Sequence, residues 1–142
     1  MIANFNELVA AVKSKTKKTI AVAMAEGEDV LKAITNAYQQ GIADAVLVGS
    51  KKKILEISAE HGIDISCFDI INTNSENQAV IRAIQMVRER LADSIMKGVC
   101  STATLLKGVL DKEHGLRTGK LLSHIALFET TSYSKLLMMS DG

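Results

Sequence analysis

The sequence predicts an α/β protein: a mainly parallel sheet with flanking helices. Three observations carry this. Short, nearly continuous apolar runs alternate with segments of helical spacing. The runs lack the apolar–polar alternation of a half-exposed strand, as expected when both faces of a parallel sheet are covered. Serine or asparagine caps and glycine stops punctuate the helical segments, and right-handed crossovers follow from the alternation.

Taken in order, Asn4 caps a first helix to about Lys15, with Phe5, Leu8, Val9 and Val12 on one face. Thr19–Ala25 (TIAVAMA) is a strand, and Glu26-Gly27-Glu28-Asp29 a turn. A helix to about Gln40 then places Val30, Ile34, Ala37 and Tyr38 inward and stops at Gly41. Ala43–Val48 is the next strand, and Ser50 caps a helix to about His61 that Gly62 stops. Ile70 and Ile71 belong to a third strand within Ile65–Asn72. Asn74 or Ser75 opens a helix to about Leu91, with Val80, Ile84, Val87 and Leu91 in one stripe. Asp93–Lys97 is a fourth strand, and Thr102–Glu113 a helix closed by Gly115. Ser123–Phe128 and Leu136–Met139 have no long helix between them and read as a hairpin or an antiparallel edge.

Composition removes several classes of function. The 142 residues are 47% hydrophobic, which a disordered tail is not. Seventeen basic against sixteen acidic residues leave a net charge of +1, giving no electrostatic case for nucleic acid or an anionic membrane. The one basic cluster, Lys13–Lys18, reads as a solvated helix end and loop. No signal peptide or membrane-length apolar run is present, so a soluble, cytoplasmic protein is expected. Cys67 and Cys100 stand alone and read as two buried free thiols. The length suits one domain, yet an apolar run ends three residues before Gly142, as if the chain were cut there.

Ligands of a parallel sheet bind at the carboxyl ends of its strands. That rule selects Ala25–Asp29, Gly49–Lys51, Gly98–Thr102 and Ser140–Gly142. In the third, Gly98 permits a tight turn, Ser101 and Thr102 offer hydroxyls at a helix start, and Lys107 stands one to two turns in, where it could reach back toward a phosphate. The same residues also fit an ordinary helix cap with a surface lysine. Glu26, Glu28 and Asp29 could bind Mg²⁺, but Glu28 and Asp29 equally suit a first helical turn; Glu26 is the one expected to face a cleft. His61, His114 and His124 read as structural, His124 within a strand. Neither a GxxxxGK[ST] loop nor a GxGxxG fingerprint occurs.

Three segments in this order resemble one family: AEGED at Ala25–Asp29, MKGVCSTATLLKGVLDKEHGLRTGKLLSHIALFE at Met96–Glu129, and KLLMMSDG at Lys135–Gly142, with LVGS between the first two. They are similar to the phosphate acyltransferases, in the phosphate butyryltransferase branch beside phosphate acetyltransferase. The resemblance implies reversible transfer of an acyl group between coenzyme A and inorganic phosphate, by attack of the CoA thiolate on an acyl phosphate, with no metal or redox cofactor. It implies two α/β domains of the isocitrate/isopropylmalate-dehydrogenase-like kind, with the present chain as the first, and homo-oligomers at full length. It assigns Gly98, Ser101, Thr102 and Lys107 to the phosphate groups of acyl phosphate or CoA, and Glu26 and Asp141 to the cleft wall. A lysine at 107 departs from the arginine of the acetyltransferase branch and lacks its bidentate fork. Family chains are longer, so the catalytic base is expected outside these residues and the chain alone is expected to be inactive. The alternatives are a non-catalytic α/β module binding a phosphorylated small molecule or protein, and a β-hydroxyacid oxidative decarboxylase, for which no clear aspartate cluster is present.

Overall fold

The apolar runs become a sheet. In the computed structural model, which describes residues 2–140, β1 (Lys18–Ala23), β2 (Ala43–Gly49), β3 (Asp69–Asn72) and β4 (Ser94–Lys97) pair in parallel in the order β3-β2-β1-β4. Register sets Ala21 opposite Val46 and Ile95, and Val22 opposite Leu47 and Met96. Alternation along β1 sends Val22 to one face and Ala21 and Ala23 to the other. On the first face α2 (Glu28–Gln39) and α3 (Lys51–His61) bury Leu31, Ile34 and Ile54 against Val22, Ala45 and Leu47. On the second, α4 (Glu76–Arg88) buries Ala79, Val80, Ala83 and Ile84 against Ala21, Ala23 and Val48. Alanines on both sides of this second contact present only methyl groups to each other. Full burial of a side chain such as Leu31 or Leu47 is worth about 1.5–3 kcal/mol.

Ser50, Ser75 and Ser101 cap α3, α4 and α5 (Thr102–Val109), each accepting the N–H three residues on, and Gly62 closes α3 at φ 62°. Several expectations shift. The buried stripe of α2 is Leu31, Ile34 and Thr35, with Val30, Ala37 and Tyr38 only half-buried beside it. Leu91 lies outside α4: Arg90 takes φ 59° and Leu91 N–H turns back to Met86 C=O at 2.8 Å, which leaves the Leu91 side chain exposed. α5 stops at Val109, four residues short of Glu113. There Asp111 Oδ1 accepts the N–H groups of Glu113 (3.0 Å) and His114 (2.7 Å), a local bond that competes with the helix. Cys100 is buried, but Cys67 is exposed. The basic cluster is, as expected, an exposed helix end and loop, with Lys17 4.4 Å above the Tyr38 ring and Lys18, the first residue of β1, pairing with Asp93 at 2.8 Å.

These elements fall in one compact unit, Lys17–Arg117. The residues up to Thr16, with those from Thr118 onward, form a second. It holds α1 (Phe5–Lys13), capped by Asn4, whose side chain accepts the Glu7 N–H at 2.8 Å. The two late apolar runs form a hairpin, β5 (Ile125–Thr130) antiparallel to β6 (Tyr133–Ser140), with Phe128 opposite Leu137. His124 falls just before β5. Phe5 N–H donates to Glu129 Oε2 at 2.9 Å. Because β6 belongs to an antiparallel pair, the carboxyl-end rule gives no site at Ser140, and Asp141 lies outside the described residues.

Candidate functional site

Strand order reverses between β1 and β4. β1 leads through α2 to β2 on one side, while the chain returns through α4 to place β4 on the other. The crevice outside such a reversal is where open α/β sheets hold ligands. Here the two strand ends are locked together. Gly98 N–H donates to Ala23 C=O (2.8 Å) and Val99 N–H to Met24 C=O (2.9 Å). A Cβ at Gly98 would stand 2.0 Å from Met24 O and 2.7 Å from Ala23 O, so only glycine fits. Met24 itself takes φ 59°, a left-handed conformation that a side chain makes costly. Lys97 curls over the loop, its Nζ donating to Cys100 C=O at 2.9 Å. The Cys100 thiol is 2% exposed, approaches Ala23 O at 3.7 Å and has its pKa pushed up by burial. That is the environment of an inert thiol rather than a nucleophile.

The start of α5 is already engaged. Ser101 Oγ accepts the Thr104 N–H at 3.0 Å and donates to Thr104 Oγ1 at 2.8 Å. The Ser101 N–H donates to Glu76 Oε1 at 2.8 Å, and this bond, followed by one from Thr104, holds the Glu76 carboxyl below its ordinary value. A carboxylate thus stands where the helix start would favour an anion. Thr102 is exposed beside it. Lys107 is carried elsewhere: with Thr104, Asp111 and His114 it borders a groove of about 520 Å³ between α4 and α5, floored by Val80, Ile84 and Gly108.

Glu26 occupies a separate place. Its Oε1 accepts the Ser50 N–H at 2.8 Å, tying the end of β1 to the start of α3. Gly49 makes room, since a Cβ there would lie 3.2 Å from Glu26 Cδ. Glu26 and Thr73 line a crevice of about 340 Å³ with Ser50, Lys53, Ser75 and Glu76, at the carboxyl ends of β1, β2 and β3. Glu26 Oε2 and Thr73 Oγ1 are shut off from solvent without a hydrogen-bond partner. The structure therefore brings Glu26 into one crevice, sets Gly98, Ser101 and Thr102 on the β4–α5 loop, and puts Lys107 on a third surface. Lys53, Thr73 and Glu76 escaped the sequence reading. The run Lys51-Lys52-Lys53 after a capping serine pointed to Lys53; Glu76 looked like any first-turn acid, and Thr73 gave no signal.

Comparison with known proteins agrees with the architecture. The sequence model of the family described as phosphate acetyl/butaryl transferase matches residues 4–81. The phosphate butyryltransferase of Clostridium acetobutylicum is 46% identical over 141 residues, 99% of this chain and 47% of that protein. That of Clostridium beijerinckii is 43% identical over 142 residues, 100% of this chain and 47% of that protein. The chain thus spans about half the length of these relatives. A crystal structure of a branched-chain phosphotransacylase from Enterococcus faecalis superposes with TM-score 0.70 at 22% identity, over 87% of this chain and 42% of that one, a likeness of fold.

Proposed function

We propose a function from one premise: the chain belongs to the phosphate acetyl/butyryl transferase family. The protein that carries it transfers an acyl group between coenzyme A and inorganic phosphate, acyl-CoA and phosphate giving acyl phosphate and CoA. The carrying observation is the match, over essentially the whole chain, to phosphate butyryltransferases. The substrates are acyl-CoA, phosphate and acyl phosphate, and coenzyme A enters as a substrate rather than a resident cofactor. The working form is a cytoplasmic homo-oligomer.

In the direction of CoA acylation, the thiolate sulfur attacks the carbonyl carbon of the acyl phosphate. The carbon–oxygen bond to phosphate breaks, phosphate departs with the electron pair, and the thioester remains. Proximity within a ternary complex supplies much of the rate, and positioned donors hold the phosphate and the developing oxyanion. This chain contributes the rigid β4–α5 loop. Since Ser101 N–H and Thr104 N–H are engaged by Glu76 and Ser101 Oγ, the first-turn donors of α5 that remain for phosphoryl oxygens are the N–H groups of Thr102 and Ala103, with the Thr102 hydroxyl. Lys107 meets a CoA phosphate as a point charge from its groove, and Glu26 belongs to the cleft wall.

The test is thiol release from acetyl-, butyryl- and branched acyl-CoA by the protein at the length of its relatives. Release that requires phosphate is expected, with little or none from the 142-residue chain alone. No release with any of the three would sink the assignment.

A further inference from the structure

We propose that Lys97 and Glu76 are positioning residues for acyl transfer: they hold one peptide group, Cys100–Ser101, from its two ends and so set the start of α5 for phosphate. This rests on the reading of that helix start as the phosphate site and deepens it. A trans peptide points its C=O and its N–H in opposite directions. Lys97 Nζ donates to Cys100 C=O at 2.9 Å, with a longer contact to Gly98 C=O at 3.4 Å. From the other end of the same peptide, Ser101 N–H donates to Glu76 Oε1 at 2.8 Å. The last residue of β4 and the first residue of α4 thus meet across one peptide. Neither side chain belongs to an ion pair among the described residues, although the Lys97 charge helps to hold the Glu76 carboxyl down. Each spends its charge on the peptide instead.

Hydrogen bonds to charged groups are the stronger kind, and these two favour the same orientation. A flipped peptide would turn its oxygen to the carboxylate and its N–H to the ammonium, and both ends would repel. The lock of the loop onto β1 ends at the Val99 N–H; the clamp carries it on to the helix. Ser101 follows directly, and its Oγ caps α5 by accepting the Thr104 N–H at 3.0 Å. The N–H groups of Thr102 and Ala103 come next, so the plane of one peptide aims the donors left for phosphoryl oxygens. One cation and one carboxylate also leave the loop without net charge. Removing Glu76 separates this role from two simpler ones. If Lys97 were only an attracting charge, or Glu76 only an internal competitor for the helix start, loss of the carboxylate would tighten phosphate. If the two clamp the peptide, loss of either end weakens it.

The test is steady-state kinetics of the protein at the length of its relatives, with K97M, K97R, E76A and E76Q. K97M and E76A should each raise the KM for phosphate about tenfold, below the roughly 100-fold that a 1 Å misplacement can cost, and leave the KM for acyl-CoA within about twofold. K97R keeps a donor and E76Q keeps an acceptor, so each should recover most of the loss. K97M/E76A should lose less than the product of the two single losses, because both act through one peptide. A lower phosphate KM in E76A overturns the proposal. So does an equal rise in KM for both substrates, which a merely structural pin would give, or an unmoved phosphate KM in both K97M and E76A. The Ser101 amide proton of the 142-residue chain gives a readout independent of turnover. The carboxylate holds it downfield, and E76A should move it upfield, K97M by less; a resonance unmoved in both overturns the clamp. No turnover by the wild-type longer protein would sink the proposed function and this role with it. Turnover with an unmoved phosphate KM in the variants would sink the role alone.

Discussion

Single residues at the carboxyl edge carry constraints that can be tested one at a time. Gly98 lies so close to the end of β1 that a methyl group would stand 2.0 Å from a backbone oxygen rather than from a side chain able to swing away. The β1–β4 ladder and the following loop must shift together. G98A is therefore expected to cost about 3 kcal/mol in urea unfolding, toward the upper end for overpacking; a loss under about 1 kcal/mol would show that the loop yields. Glu76 makes a pH prediction. Its folded-state carboxyl lies below its ordinary value of 4.5, with the Ser101 N–H as the first cause. A depressed carboxyl stabilises the fold fully above its unfolded value and loses that contribution as pH falls through the folded value. Wild type should thus exceed E76Q in stability at pH 7, and the gap should narrow steadily as the pH falls below the ordinary carboxyl value. Glu28, Asp64, Asp93 and Asp111 are depressed too, so both proteins weaken in acid and only the difference reports Glu76. A gap that widens toward low pH would refute the assignment.

At the scale of elements, much was legible and the exceptions are physical. Strands β1 and β2 announced themselves because both faces are covered, so burial leaves no polar alternation to confuse them. Ser50, Ser75 and Gly62 fixed helix ends because capping chemistry is local. The stripe of α2 was displaced because Val30 and Leu31 are adjacent apolar residues, and only packing on Val22 and Leu47 decides which is central. α5 ends before its sequence pattern predicts because the Asp111 side-chain turn leaves no apolar signature. The candidate site was least legible: Glu26 was visible from its turn, but Thr73 and Lys53 join it only through the parallel pairing of β2 with β3. Gly108 tests how tightly α4 and α5 meet. A Cβ there would lie 2.7 Å from Ile84 Cδ1 and 2.9 Å from Val80 Cγ1, both on buried side chains. Alanine gains about 1 kcal/mol in helix propensity, and overpacking costs about 1–3 kcal/mol. G108A should therefore be destabilised by about 1 kcal/mol net. Adding I84V, which removes the nearest methyl group, should cost less than I84V does alone, the coupling expected of residues in contact. Strict additivity in the double-mutant cycle would mean that the two helices part instead.

Across the whole molecule, the two compact units differ in how their hydrogen bonds are protected. β1 is bonded on both edges, by β2 and β4, and Ala21, Val22 and Ala23 are fully buried. Opening its amides requires breaking a sheet covered by helices on both faces. Among the described residues the backbones of β5 and β6 pair in a sheet only with each other, and Ile125, Leu127, Phe128, Leu137, Met138 and Met139 are each more than 40% exposed. A lone two-stranded hairpin is marginal in water, so its opening free energy lies near the low end of the range that native proteins span. In hydrogen exchange of the 142-residue chain, hairpin amides should exchange at least about 100-fold faster than those of Val22 and Leu47, an opening difference of about 2.7 kcal/mol or more. Comparable protection would mean that the hairpin's apolar side chains are covered in solution, by self-association if protection rises with concentration. The difference matters for function because Glu26, Ser50, Thr73, Glu76, Gly98 and Ser101 all belong to the Lys17–Arg117 unit. A site built on the more stable unit keeps its geometry while the hairpin opens and closes.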